Sequence, residues 1–172
     1  MSRRRAILWA GFWAALSAVG FPAPARAQSV LARAVVIDGT IAMNRERDLD
    51  FGDVVRNSVV TVPVNSNGSA RWRITGTSGA GVTLTFFLPS FLQVGSNTLP
   101  ISFNNTAGGE SWQNNPRFAN LFDPNAVHTT QLRPSGLGVL TVWLGGTVTV
   151  SALQPPGVYT APATLVVSYT GS

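Results

Sequence analysis

The sequence predicts an all-β fold, a β-sandwich in which about seven to nine short antiparallel strands form two sheets that pack face to face. Runs of alternating apolar and polar residues recur along the chain between clusters of Gly, Pro and Asn, a pattern typical of all-β sandwiches and barrels. Good helix formers are scarce, because lysine is absent and glutamate occurs only at Glu46 and Glu110. An N-terminal segment typical of export precedes this strand-rich region.

That segment, residues 1–27, has the three parts of a cleavable signal peptide. Arginines occupy positions 3–5, an apolar run of 15 residues covers positions 6–20, and Ala25-Arg26-Ala27 matches the small-x-small cleavage pattern. The apolar run is shorter than the ~20 residues that a membrane-spanning helix needs. We therefore expect cleavage after Ala27, no stable membrane span afterwards, and one domain over residues 28–172 in the periplasm, outside the cell or on its surface.

Charge and cysteine content limit the partners of the mature chain. Cleavage removes four of the twelve arginines and leaves eight basic residues against seven acidic ones, a net charge of +1. This balance gives no basis for nucleic-acid or anionic-membrane binding, and no nucleic-acid partner is predicted. Because the chain has no cysteine, its stability depends on core burial, or on a partner chain that completes the core.

The first predicted strands lie in the N-terminal third of the mature chain. Val30 to Met43 is expected to form one long strand, or two with a break at Asp38-Gly39. The charged "NRERD" segment after Met43 is expected to be a turn that leads into a strand over Leu49 to Val55. Ser58 to Val64 is the next predicted strand, and the turn signal "NSNG" ends it.

Two central strands have the clearest alternation. In "ARWRITG", Ala70, Trp72 and Ile74 alternate with polar residues and are expected to point into the core. "VTLTFFLP", from Val82 to Pro89, follows as another strand. The alternation does not say which sheet surface Trp143 faces, because the apolar Val142 and Leu144 flank it.

The second half of the chain divides into a polar stretch and an apolar end. Gly95 to Gly136 is rich in Asn and Pro, and we expect a long loop region there with one strand at Leu99 to Phe103. The apolar runs Leu137 to Ser151 and Ala163 to Thr170 are predicted strands, and the Pro-Pro-Gly turn between them indicates a closing hairpin. Alternation places Ala163, Leu165, Val167 and Tyr169 on one face of the last strand.

Five stretches follow one another along the chain in a characteristic order. They are "LDFGDVV", "SVVTVPVNSNG", "ARWRITGTSGAGVTLTFFLP", "LGVLTVWLGGTVTV" and "PPGVYTAPATLVVSY", and together they span roughly Val36 to Tyr169. Phe51-Gly52, Gly145-Gly146 and the Gly-x-Tyr at Gly157 to Tyr159 are their most characteristic elements. In these motifs the chain resembles the bacterial exported domain-of-unknown-function family 4402, whose members are similar to fimbrial subunits.

The resemblance implies an immunoglobulin-like β-sandwich that is exported and either built into a pilus or displayed on the cell surface. It carries over no catalytic residue and no cofactor. For partners, it implies an export chaperone and other subunits, joined into homo- or hetero-polymers by strand addition.

The mature N-terminus, "QSVLARAVV", suits such strand addition. Its alternation places four apolar side chains on one face, with Leu31 and Val35 on the other; these four candidate strand-pairing residues are Val30, Ala32, Ala34 and Val36. The arm has two alternative fates: it pairs in trans as a donor strand for another subunit, or it forms the first strand of its own sandwich.

Single residues outside the strands suggest other chemistry. Trp112, among Asn and Gln, is the candidate recognition residue, since a loop tryptophan can stack on a sugar ring; alternatively, it covers the end of the sandwich. His128 is the single histidine and is expected to be a solvated loop residue, because a zinc site with only carboxylates beside it would match zinc ligand sets poorly. A hydrolase that uses His128 and Asp123 is not expected either, because the chain has no Gly-x-Ser-x-Gly motif. Neither catalysis nor a metal or cofactor site is predicted.

Asp48, Asp50 and Asp53 form the densest acidic cluster of the chain. Their spacing does not match the twelve-residue calcium loop, and three neighbouring arginines, Arg45, Arg47 and Arg56, can neutralise them. A surface ion-pair network is therefore expected there.

From the sequence we expect a non-enzymatic exported structural or surface protein that resembles a fimbrial subunit or adhesive domain. The alternative is a periplasmic or extracellular module that binds carbohydrate or another ligand through the Gly95 to Gly136 region.

Overall fold

The computed structural model describes residues 39–170. Within them, the secondary structure consists of twelve β-strands and one 3₁₀ turn, Pro116–Phe118. The strands are β1 (Ala42–Arg47), β2 (Ser58–Val62), β3 (Ala70–Gly76), β4 (Gly81–Phe87), β5 (Phe91–Val94), β6 (Asn97–Ser102), β7 (Gly108–Ser111), β8 (Asn120–Phe122), β9 (His128–Gln131), β10 (Gly138–Leu144), β11 (Gly146–Val150) and β12 (Thr164–Tyr169).

These strands form three antiparallel sheets. The five-stranded sheet has the order β1-β3-β10-β7-β8, the four-stranded sheet β2-β11-β6-β5, and the three-stranded sheet β12-β4-β9. The prediction of an all-β fold is confirmed, but the described residues contain more strands and more sheets than the sequence predicted.

The main core lies between the five-stranded and three-stranded sheets, as in a β-sandwich. The predicted inward residues of β3, Ala70, Trp72 and Ile74, are all buried in it. They pack with alternate residues of β4, β10 and β12, and with Phe122 of β8. Leu165 of β12 is buried there, and Ala163, Val167 and Tyr169 pack against it as predicted.

Trp143 lies on the opposite face of β10 from its neighbours Val142 and Leu144, which belong to the main core. Its side chain is nevertheless fully buried, so the five-stranded sheet is covered on both faces at this position. Because both faces are covered, all seven residues of β10 are buried. A run without apolar–polar alternation does not show from sequence which face of a strand each side chain occupies.

A glycine carries the chain from one sheet to another between β10 and β11. A Cβ at Gly145 would collide with the carbonyl oxygen of Val62, so only glycine permits this close approach of two backbones. Beyond it, β11 pairs with β2 and β6, and Val148 and Val150 enter a second core with Leu99 and Ile101.

The predicted closing hairpin is wrong. The last strand, β12, pairs with β4 along its whole length, whereas β11 pairs with β2 and β6. Backbone pairing with distant strands therefore overrides the local Pro-Pro-Gly turn signal. The turn segment instead contains Tyr159, whose hydroxyl donates to the carbonyl of Pro155 over 2.8 Å and accepts from Gln154 Nε2.

Two predictions near the N-terminus of the described region are also wrong. The charged segment expected to be a turn is strand β1, which pairs with β3 through a bulge and is stabilised by an ion pair of 2.7 Å between Glu46 and Arg71. The stretch Leu49 to Val55 is not a strand. Asp50 Oδ1 accepts a hydrogen bond from the Gly52 amide, and Gly52 adopts a φ of 64°, which breaks extended structure.

The polar stretch from Gly95 to Gly136 is more ordered than the sequence indicated. Besides β6, which matches the expected strand, it contains β7, β8 and β9. The strand β7 has the sequence Gly-Gly-Glu-Ser, all four residues of which are buried. A Cβ at Gly108 would lie 2.7 Å from the Phe122 ring, so the glycines that look like a loop signal allow close packing.

Several predictions fall outside residues 39–170. These are the signal peptide at residues 1–27, the strand-pairing residues Val30, Ala32, Ala34 and Val36, and most of the first predicted strand. Among the residues described, no helix is long and apolar enough to cross a membrane.

Candidate functional site

Trp112 directly follows β7 and links two sheets. Its indole N–H donates a hydrogen bond of 2.9 Å to the carbonyl oxygen of Gln131, the last residue of β9. Because β7 belongs to the five-stranded sheet and β9 to the three-stranded sheet, the bond holds the indole ring across the gap between them. The residue remains 42% exposed, so it covers the end of the sandwich and still presents part of its ring to solvent.

A buried carboxylate, that of Glu110, lies two residues before this tryptophan in the sequence. Glu110 of β7 is opposite Val142 of β10, so its side chain points toward the main core, and the residue is only 7% exposed. The hydroxyl of Thr130 on β9 donates to Glu110 Oε2 over 2.8 Å. Glu110 has no sequence signal of a site residue beyond the scarcity of glutamate in the chain.

His128 lies beside the same carboxylate, so its assignment to a solvated loop is wrong. It is in β9, opposite Leu84 of β4, and its ring stacks on Phe122 with centroids 4.1 Å apart. Its Nε2 lies 3.7 Å from Glu110 Oε1. Asp123, which a hydrolase site would have to pair with His128, instead accepts hydrogen bonds from the backbone and side-chain nitrogens of Asn125.

We name this edge of the molecule, where β7, β8 and β9 meet, the closed side. A cleft of about 620 Å³ opens on it. Its lining combines aromatic, hydroxyl, amide and carboxylate groups: Gly81, Glu110, Ser111, Trp112, Gln113, Phe118, Asn120, Thr129, Thr130 and Gln131. Such a mixture of flat apolar surface and convergent polar groups suits the binding of a small polar ligand.

The opposite edge, formed by β1 and β12, is the open side. Met43 and Arg45 of β1 pair with Ile74 and Trp72, so both point toward the main-core face of the five-stranded sheet. Yet Met43 is 44% exposed and the Arg45 side chain 68% exposed. The three-stranded sheet therefore does not extend far enough to cover β1.

The edge strand next to this uncovered face is β12. It pairs with β4 on one side, and it has no partner strand on the other side among residues 39–170. The described chain begins at Gly39, whose backbone lies against Thr77 and the hydroxyl of Tyr169. The first described residue therefore lies beside Tyr169, the last residue of β12.

The acidic cluster forms only part of the expected ion-pair network. Arg45 pairs with Asp48 over 2.9 Å, while Arg47 and Arg56 donate to the carbonyl oxygens of Ser69 and Gln154. No group of three or more potential metal-ligating side chains is present in the described part of the chain.

Comparison with known proteins places this architecture in a family. No curated protein matches the chain. The sequence model of a family described as a domain of unknown function, DUF4402, matches residues 41–169, which include all twelve strands. The match covers both the closed and the open side, and the chain belongs to the DUF4402 family.

Proposed function

We propose that this chain is a non-enzymatic, exported structural subunit of a surface assembly, similar to a fimbrial subunit. After cleavage of residues 1–27, the arm of one copy adds as a strand to the free edge of β12 in the next copy. The completed unit is an immunoglobulin-like β-sandwich in which the added strand belongs to the three-stranded sheet. An export chaperone would cover the same edge before assembly.

The observation that carries the proposal is the uncovered core-side face of β1 beside the unpaired edge of β12. One more strand next to β12 would lie over Met43 and exclude water from that part of the core. Exposed strand edges are adhesive, since their backbone N–H and C=O groups are ready to pair with another chain. Strand addition would both cover Met43 and pair the free backbone groups of β12.

The backbone of β12 shows which groups an added strand would use. The amide of Thr170 donates to Gly81 of β4, and the direction of amides alternates along an antiparallel strand. The amides of Leu165, Val167 and Tyr169 therefore point toward the free edge, where an incoming strand could accept their hydrogen bonds.

The arm has the composition and the length for this role. Val30, Ala32, Ala34 and Val36 form an apolar stripe of small and β-branched side chains, which suits the face of a strand that packs on a core. Residues 28–38 would extend about 36 Å at 3.3 Å per residue. This exceeds the length of the six-residue β12, about 20 Å by the same rise.

The experiment compares two aspartate substitutions on opposite faces of the arm. Protein purified after export from cells that express the full chain is analysed by size-exclusion chromatography with light scattering and by electron microscopy. We expect oligomers or fibres for the wild type, monomers for Val36→Asp, and wild-type assembly for the matched control Val35→Asp. On the acceptor side, Val167→Pro removes a free-edge amide without removing a bond to β4, and it should also abolish assembly.

A monomeric wild type with no surface-bound or fibrous form in its host would overturn the proposal. So would fibres that form equally well in Val36→Asp and Val167→Pro.

A further inference from the structure

The cleft on the closed side contains no residue of β1 or β12. Of its lining residues, Gly81 of β4 accepts a bond from Thr170 after β12, on the side of β12 that faces β4 and not on its free edge. The cleft is therefore independent of strand addition. Two aromatic side chains on its rim are exposed, Trp112 at 42% and Phe118 at 63%. The Trp112 ring is held in place by its bond to Gln131. A fixed ring loses little conformational freedom when a ligand stacks on it, which favours binding.

Inside the cleft, a buried carboxylate is short of hydrogen-bond donors. Glu110 accepts one hydrogen bond within 3 Å, from Thr130, although a carboxylate can accept about four. The Nε2 atom of His128, 3.7 Å from Glu110 Oε1, is buried, and His128 does not line the cleft. Buried polar groups are normally satisfied, so the remaining acceptor capacity of Glu110 points to donors supplied by a bound molecule.

We infer that the cleft binds an uncharged saccharide. A sugar ring has an apolar C–H face that can stack on Trp112 or Phe118, and hydroxyl groups that can donate to Glu110. Gln113 and Asn120 line the same cleft, and their amides can bond the remaining hydroxyls. This site goes beyond the proposed assembly, since it would give each subunit a ligand-binding surface of its own.

The charge of the lining excludes acidic sugars. Neither arginine nor lysine occurs among the residues that line the cleft, while Glu110 contributes a negative charge. A sialic or uronic acid would place a second carboxylate in the same space without a cation to pair with it, which is unfavourable.

The test begins with an array that displays the same oligosaccharides in uncharged and sialylated forms, probed with protein purified after export from cells expressing the full chain. We expect binding to uncharged glycans and little binding to their sialylated counterparts. The strongest uncharged glycan is then titrated by isothermal calorimetry against the wild type and four variants.

Trp112→Ala and Glu110→Gln should each weaken binding about tenfold or more, as expected for a central aromatic anchor and a buried hydrogen-bonding group. Phe118→Ala should weaken it less. The control Phe91→Ala removes an aromatic side chain of similar exposure on β5, outside the cleft, and should leave affinity unchanged.

Circular dichroism checks that each variant is folded. If Trp112→Ala does not fold, Phe118→Ala decides the question, since its side chain is mostly exposed and the fold should not depend on it. The inference is overturned by an array without any uncharged glycan bound, by preferential binding of sialylated forms, or by affinities that the cleft substitutions leave at the wild-type level.

Discussion

The two long edges of the packed sheets differ in how far their core-facing surfaces are shielded from water. Both sheets end at each edge, and their core-facing surfaces must be shielded from water there. On the closed side, side chains connect the sheets: Trp112 bonds Gln131, Thr130 bonds Glu110, and the Phe122 ring stacks on His128. These contacts join the core-facing surfaces at that edge, although β8 and β9 are themselves edge strands among residues 39–170.

On the open side, the sheets have unequal width. The five-stranded sheet extends to β1, whereas the three-stranded sheet ends at β12, and the core-facing Met43 and Arg45 remain exposed. The comparison shows that side chains join the two sheets at one edge of residues 39–170, whereas the other edge leaves core-facing residues of β1 exposed. A small ligand suits the first edge and a strand the second.

The largest expected effect is on the closed side, at Phe122. This buried ring stacks on His128 and lies near Phe86. Phe122→Ala should lower the free energy of unfolding by about 3–5 kcal/mol, through lost contacts and the cavity left behind. Urea denaturation measures it, with the exposed neighbour Leu121→Ala as a control that should change stability by less than about 0.5 kcal/mol. Equal effects would show that Phe122 does not connect the sheets.

Thr130 tests the polar part of the closed side. Thr130→Val removes the hydroxyl that donates to Glu110, and loss of a hydrogen bond to a charged group should cost about 1.5–3 kcal/mol. The same substitution at Thr129, on the opposite and exposed face of β9, provides the matched control. Thermal unfolding of both variants should rank Thr129→Val near the wild type; a reversed order would contradict a role for Thr130.

Tyr169 tests how the open side is held at one end. Its hydroxyl accepts a hydrogen bond of 2.9 Å from the Thr77 amide, which joins the ends of β12 and β3. Tyr169→Phe should cost about 1–2 kcal/mol, since it leaves a partly buried amide unpaired. Tyr159→Phe should cost less, because that hydroxyl bonds only residues close in sequence. Chemical denaturation measures the loss of stability in both variants. A larger loss for Tyr159→Phe than for Tyr169→Phe would contradict the role given to Tyr169.

The smallest effect concerns Met43 and measures coverage of β1 directly. In a Val36→Asp background, where the added strand should be absent, Met43→Ala should change stability by less than about 0.5 kcal/mol, as for an exposed side chain. In the wild-type assembly the cost should rise to about 1 kcal/mol, because an added strand would bury the side chain.

A double-mutant cycle of these two substitutions, followed by denaturation, measures the coupling between them. Additive effects would mean that the arm does not lie over β1.

Strong alternation made several strands predictable. The expected strands over Ala70 to Gly76 and over Ala163 to Thr170 agree with β3 and β12 to within one residue at each end. Their inward faces were also predictable, because a period of two residues separates the two faces of a strand. For Trp112, the sequence suggested either recognition or coverage of the sandwich end; the bond to Gln131 was not predictable, because that residue lies 19 positions away.

Elements that depend on distant partners were not predictable. β1 is charged and β7 is half glycine, so neither has the composition of a strand, and both are strands because β3 and β10 pair with them. The Pro-Pro-Gly turn suggested a hairpin, but β12 pairs with β4, some 80 residues earlier in the chain. Glu110 likewise becomes a candidate binding residue only because β9 brings Thr130 and His128 to it.

The sequence by itself determined that the chain forms strands and which faces of the alternating strands point inward, because both depend on the local order of apolar and polar residues. Only the tertiary structure decided which strands pair, that Gly108 of β7 packs against the Phe122 ring, and that one edge is closed while the other exposes β1. The reason is physical: backbone hydrogen bonds can join any two extended segments, so the choice among them depends on how all side chains pack together.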